Sequence, residues 1–326
     1  MYKGKQREFE MFISLFFLIL LASIIPSYGA EKVTIALPSF SLAHLPARVA
    51  EVKGYYKEEG FDAQIITVRT AIAIKALITD DIQCTTAIGT TMRAATTNIP
   101  VKGVMILNDK PVHVLLAKPQ YKNVKDLKGK TIALSEYGST SDYNTRAILR
   151  GNNMDPDKDV KFIVITESGV RYQSLLAGVI DAALFPPPFS FFLEDKGFSK
   201  LASASDYLEI AISGVGIADK KLKENPAQVK RMLRALFKAM LFMSKNREDT
   251  VKIAANWLKI DDKTMAERSV DVALKTLSKD GTASDRAINF DVEATKKTLN
   301  IKEDIPLSKV VDFSIMKEVY KELAGK

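Results

Sequence analysis

One cysteine, two histidines and one tryptophan in 326 residues remove several chemistries before any motif is read. Cys84 alone can form neither an intramolecular disulfide nor a thiolate metal cluster, and it sits in the strand-like run IQCTTAI. It therefore reads as a small apolar residue in a packed sheet, not a reactive thiol. His44 and His113 lie far apart in the chain and give no metal-ligand spacing, so no metal is expected. The formal surplus of +8 is scattered over loops and helix faces. No basic run alternates with aromatics, which excludes a nucleic-acid groove. No G-x-S-x-G nucleophile motif with a partner histidine is present, so no catalytic residue and no cofactor is assigned. Short-period repeats, Gly/Ser linkers and low-complexity stretches are also missing.

The one long apolar run is MFISLFFLILLASII at Met11–Ile25, preceded by Lys3, Lys5 and Arg7 and followed by Pro26 and small residues. It is shorter than the roughly 20 residues that span a bilayer comfortably. Residues 1–29 are expected to form a signal peptide cleaved before Ala30, with no lipobox cysteine, which places the mature chain in the periplasm; the alternative is an uncleaved membrane tether. The 297 residues left (326 minus 29) suffice for two lobes with separate cores. Their charge falls to +7, because three basic and two acidic residues leave together.

Strand-like and helical segments then alternate. VTIAL, FDAQIITV, IQCTTAI and VKGVMILN form a first βα series, and TIALS, VKFIVIT and IDAALF a second, joined through HVLLAK. The chain returns through EIAISGVGIA and becomes helical. This rhythm predicts mostly parallel sheets flanked by helices. The expected division is a discontinuous first lobe at 30–115 and 211–326, a continuous second lobe at 116–210, and crossings near 112–117 and 208–216. Asn225 and Pro226 suit the start of a helix whose buried face is Val229, Met232, Leu233, Leu236, Phe237, Met240 and Met243. Trp257 falls on a later helix.

Three stretches carry a family likeness. AEVKGYYKEEGFDAQIITV (Ala50–Val68) ends a helix, turns at Gly54 and Gly60 and enters a strand; VKDLKGKTIA (Val124–Ala133) and LLAGVIDAALFPP (Leu175–Pro187) follow in the same spacing and order. The chain resembles the periplasmic solute-binding proteins of ABC importers, in the branch that binds sulfonates, nitrate, taurine or thiamine-pyrimidine precursors. The likeness covers roughly residues 32–246. It implies an α/β, two-lobed periplasmic-binding-protein type II fold with a helical C-terminal region. It also implies a monomeric receptor that closes on a small organic solute and hands it to an inner-membrane ABC permease. The alternative is an enzyme on the same fold, acting in thiamine-pyrimidine or menaquinone-type biosynthesis; one cysteine and an export segment fit that reading poorly.

In open α/β sheets ligands bind beyond the carboxyl ends of strands, where helix N-termini present unpaired N–H groups. By resemblance, those loops line the cleft between the lobes. The candidate ligand contacts are Ser39, Phe40, His44, Thr70, Gly89 and Thr90 in the first lobe, and Ser139, Thr140, Ser141, Glu167 and Phe185 in the second. Ser139–Thr140–Ser141 after Gly138 is the sharpest of these, although Ser139 to Asp142 also reads as a helix capping box. Glu136, Asp142, Glu167 and Asp109 would oppose a bound anion and welcome an amine or pyrimidine, or else they cap helices and face water. Phe40, Tyr137, Phe185 and Phe189 are either ring-stacking walls or core. His113, in a strand pattern, is expected to be structural, and Pro186–Pro188 to stiffen the cleft wall.

Overall fold

The computed structural model describes residues 30–324 apart from 209 and 210; the expected signal segment, 1–29, lies outside these described residues. β1 (Glu31–Leu37) passes through a 3-10 turn at Leu42–His44 into α1 (Leu45–Val52) and α2 (Tyr55–Glu58). Then follow β2 (Phe61–Thr67), α3 (Thr70–Thr79), β3 (Cys84–Thr85), α4 (Ile88–Thr96) and β4 (Val101–Asn108). The second series is β5 (Val114–Ala117), β6 (Thr131–Leu134), α5 (Thr140–Gly151), β7 (Lys161–Val164), α6 (Ser168–Leu176), β8 (Ala182–Phe185), α7 (Phe189–Asp195) and β9 (Ser199–Ser203). After β10 (Ser213–Ala218) the chain is helical, with α8 (Asp219–Glu224), α9 (Pro226–Lys245), α10 (Arg247–Leu258), α11 (Lys263–Lys275), α12 (Asp285–Leu299), α13 (Leu307–Val310) and α14 (Ser314–Ala324).

The strands form two five-stranded sheets, ordered β2-β1-β3-β10-β4 and β7-β6-β8-β5-β9. Each defines a lobe. The expected two-lobed α/β architecture is present, and each sheet is mixed through one reversed strand. β1 with β3, and β6 with both β7 and β8, run parallel, whereas β10 runs antiparallel to β3 and β4, and β5 antiparallel to β8 and β9. The reversed strands are those that follow the two lobe crossings. Each runs against the direction of its sheet neighbours. β5 pairs along its whole length within the second sheet, Val114 opposite Phe185 and Ala117 opposite Ala182, so the first crossing precedes Val114. A division at residue 115 would cut this strand.

α9 shows how sequence becomes packing. The Asn225 side chain accepts from the Gln228 N–H at 3.1 Å, Pro226 fills the first helical position, and all seven residues of the apolar stripe are buried in the first-lobe core. Cys84 is fully buried in the same core, and burial pushes its thiol up to about 12. α4 lies so close on β10 that a Cβ at Gly216 would stand 2.1 Å from Thr91 Oγ1, which only glycine relieves. Trp257, on α10, meets Phe40 edge to face with ring centroids 5.8 Å apart. Among the described residues no helix is long and apolar enough to cross a membrane.

Candidate functional site

Strand ends and helix starts from both sheets meet in a cavity of about 90 Å³. The first lobe contributes Ser39, Ser41 and His44 from the turn after β1, with Arg69 and Thr70 at the start of α3. From the second lobe come Ser135 and Glu136 after β6, Ser139, Thr140 and Ser141 at the start of α5, and Thr166, Ser168 and Arg171 around the start of α6. His113 and Ile212, from the two crossing segments, also line it.

Much of the hydroxyl chemistry here is already committed to the fold. Ser139 Oγ accepts from the Asp142 N–H at 3.3 Å as the N-cap of α5 and donates to the Glu136 carbonyl at 2.7 Å. The Asp142 carboxylate reaches back to the Gly138 N–H at 2.8 Å and pairs with Arg146 Nε at 2.5 Å, so it serves the helix end and not a solute. Ser141 Oγ accepts from the Ser135 N–H at 3.1 Å, which leaves its own O–H free to donate. The Thr140 hydroxyl is paired with no protein group among the described residues. Beside it a Cβ at Gly89 would stand 3.1 Å from Thr140 Oγ1, so α4 and α5 touch across the lobes.

Charge in the cavity is divided between rim and floor. At the rim Glu136 takes the Thr70 hydroxyl at 2.9 Å and Arg69 Nη2 at 3.3 Å, both from the other lobe. On the floor Arg171 is only 4% exposed. Its Nη1 donates to the carbonyls of Ile165 and Thr166, both at 2.7 Å, and its Nη2 to Ser168 Oγ at 2.8 Å. Its Nε–H is buried with no partner, and among the described residues no carboxylate pairs with it. Burial pulls the guanidinium down to about 10, against the opposing field of the exposed Glu167. The two histidines are held neutral: burial and then the His113 charge lower His44 to about 3, and burial and then Arg171 lower His113 to about 4. Neither Nδ1 has a hydrogen-bond partner.

Six of the expected contacts line this cavity together: Ser39, His44, Thr70, Ser139, Thr140 and Ser141. The other five do not. Phe185 ends β8 fully buried in the second-lobe core, and Phe40 is 52% exposed against Trp257. Glu167 is the exposed N-cap residue of α6. Gly89 sits at the contact with Thr140, and Thr90 faces a separate cavity of about 700 Å³ that also touches Tyr143. Of the cavity's ionic groups, sequence reading passed over Arg171 and treated His113 as a strand residue. A signal for Arg171 existed: it follows Ser168 by three positions, one turn along the same helix face. Among the described residues no group of three metal-ligating side chains assembles.

A protein of Brucella abortus, named as a candidate binding protein, is 32% identical over 151 residues, 45% of this chain and 46% of that protein. The match thus spans about half the length of the relative. A solved structure from Bordetella bronchiseptica superposes with a TM-score of 0.80 at 19% identity, covering 90% of this chain and 98% of that one. The periplasmic aliphatic sulphonate binding protein SsuA of Escherichia coli gives a TM-score of 0.67 at 15% identity, over 86% and 91%. At such identities the two structures establish the fold, a periplasmic-binding-protein architecture. A family model described as NMT1/THI5 like matches residues 41–250, from the turn after β1 to the start of α10, and the chain belongs to that family.

Proposed function

We propose that this protein is an extracytoplasmic solute receptor, which captures a small organic molecule between its lobes and delivers it to an ABC permease. One observation carries the reading: a cavity whose polar lining comes from both lobes, with residues of the two crossing segments beside it. Solute bound there is held by hydroxyls and N–H groups on each side, so it favours the closed arrangement by its differential contacts. The apolar run at Met11–Ile25, read as an export signal, and the SsuA-like architecture support the same conclusion. The receptor acts as a monomer and performs binding without turnover.

Thermal-shift screening of the mature chain tests this, because a solute that binds only the folded state raises the midpoint. Sulfonates, nitrate, taurine, pyrimidines and aromatic carboxylates form the panel. A hit recovered chemically unchanged after long incubation fits a receptor; a converted product identifies an enzyme, and the absence of any hit removes the cavity as a solute site.

A further inference from the structure

The floor of the cavity holds an ionic arrangement that the fold itself leaves incomplete. Arg171 is buried, lines the cavity, is met only by carbonyls and a hydroxyl, and keeps its Nε–H unpaired. A desolvated cation without a counter-charge is costly, and proteins ordinarily pair it. His113 lies beside it in the same lining, with an unpartnered Nδ1 that neutral imidazole can offer only as an acceptor or a lone donor. The Glu136 carboxylate does not reach this floor. It is engaged at the rim by Arg69 and Thr70.

We propose that the cavity takes its solute as an anion seated on Arg171, and that this capture draws one proton from solvent onto His113, so that anion and proton are bound together. This rests on the receptor reading above. The step is a simple protonation: the proton adds to the free ring nitrogen, both nitrogens then carry N–H, and no bond in the solute breaks. Burial first, and then the field of Arg171, keep the imidazole neutral; an anion on Arg171 cancels the second and gives the new N–H an acceptor. On the cleft side the charged groups facing His113 are Arg69 and Arg171 against Glu136, with neutral His44 the other titratable group. Behind it, a rear cavity of about 750 Å³ presents Asp109, Lys110, Glu194, Lys200 and Lys275. Both sides carry a cationic surplus, which opposes protonation until an anion arrives.

The sign of the pH dependence follows. The solute-free imidazole titrates at about 4 and the occupied one higher, so between these values binding takes up a proton. Affinity then rises as pH falls from neutral, approaching tenfold per pH unit, and levels off near pH 4 where the empty site is already protonated.

The experiment is titration calorimetry of the mature chain with nitrate, methanesulfonate and sulfate at pH 7.5, 6.5 and 5.5, in buffers of different ionisation enthalpy. These anions are chosen because they carry no titrating proton of their own in that range. The proposal expects proton uptake that grows from pH 7.5 to 5.5, and loss of both uptake and pH slope in His113→Gln. Arg171→Gln should lose binding more than tenfold, while Arg171→Lys retains anion preference and so separates lost charge from lost fold. Anion binding without proton uptake overturns the proposal and leaves the receptor reading standing. Binding of neutral or cationic solutes alone overturns it in the same way, as does uptake that persists in His113→Gln. No binding of any solute overturns both readings.

Discussion

Thr70 donates its hydroxyl to Glu136 Oε2 at 2.9 Å, from the first residue of α3 in one lobe to the loop after β6 in the other. Arg69 reinforces the contact through Nη2, although its own side chain is 56% exposed and its ion pair correspondingly screened. The hydrogen bond is the stronger element, since its acceptor is charged and Glu136 is largely shielded from water. Removing it in Glu136→Ala should cost closure about 1.5 kcal/mol, roughly a tenfold shift toward the open arrangement. Small-angle scattering of the solute-free protein reads this as a larger radius of gyration. An unchanged radius means the contact does not hold the lobes together.

The start of α5 separates a structural hydroxyl from a binding one. Ser139→Ala should lower folding stability by about 1 kcal/mol with or without solute, because its oxygen caps the helix at Asp142. Thr140→Ala, which removes no protein hydrogen bond, should leave stability nearly unchanged and weaken solute binding by about 0.5–1.5 kcal/mol for a neutral partner or 1.5–3 kcal/mol for a charged one. Ser141→Ala should do both, since its oxygen also holds the Ser135 N–H. Urea melts and calorimetry on the three variants check the division. Wild-type affinity in both Thr140→Ala and Ser141→Ala would reduce this run to a helix cap.

How far the sequence was legible depends on whether a residue's role is local. The caps at Asn225 and Ser139 and the stripe of α9 follow from neighbours within four positions, and all are present. Strand direction is not local. β10 and β5, the two reversed strands, are buried along their whole length, so no alternation marks one face or one orientation. The same loss of alternation placed Phe185 in the cleft loop, whereas it closes β8 and fills the core. Arg171 escaped notice because its partners are main-chain carbonyls just before its helix, which carry no side-chain signature. His113 stands one residue before β5 begins, on the crossing itself, and a strand pattern cannot distinguish that position from the first paired residue.

Gly216 offers a test of how tightly α4 seats on β10. The Cβ of Gly216→Ala would meet Thr91 Oγ1 at 2.1 Å and Thr91 Cβ at 2.8 Å, in a region where Thr91 is fully buried. Overpacking of this kind typically costs about 1–3 kcal/mol. Thr91→Ala relieves the closer overlap but not the Cβ contact, so the double variant should recover part of the loss. A coupling energy above about 0.5 kcal/mol in the cycle is expected, and strict additivity would place the strain elsewhere.

Acid should weaken the solute-free protein well before its carboxylates titrate. His44 and His113 have folded values of about 3 and about 4, below the ordinary 6.5 of an unfolded chain, so between these limits the unfolded state binds more protons. Their contribution is complete above pH 6.5 and is lost as pH falls, each histidine adding a slope of up to about 1.4 kcal/mol per pH unit. Asp291, raised by burial and only partly offset by Arg93, acts in the opposite sense, since its folded form gains a proton first. The comparison of wild type with His44→Gln removes that background. Urea unfolding at pH 7.5, 6.0 and 5.0 should show the variant losing less stability than wild type on acidification. Saturating methanesulfonate should flatten the wild-type slope further, because an anion on Arg171 lets His113 protonate in the folded state. Parallel curves for wild type and variant would mean that His44 is protonated as readily in the folded chain as in water, contrary to its burial.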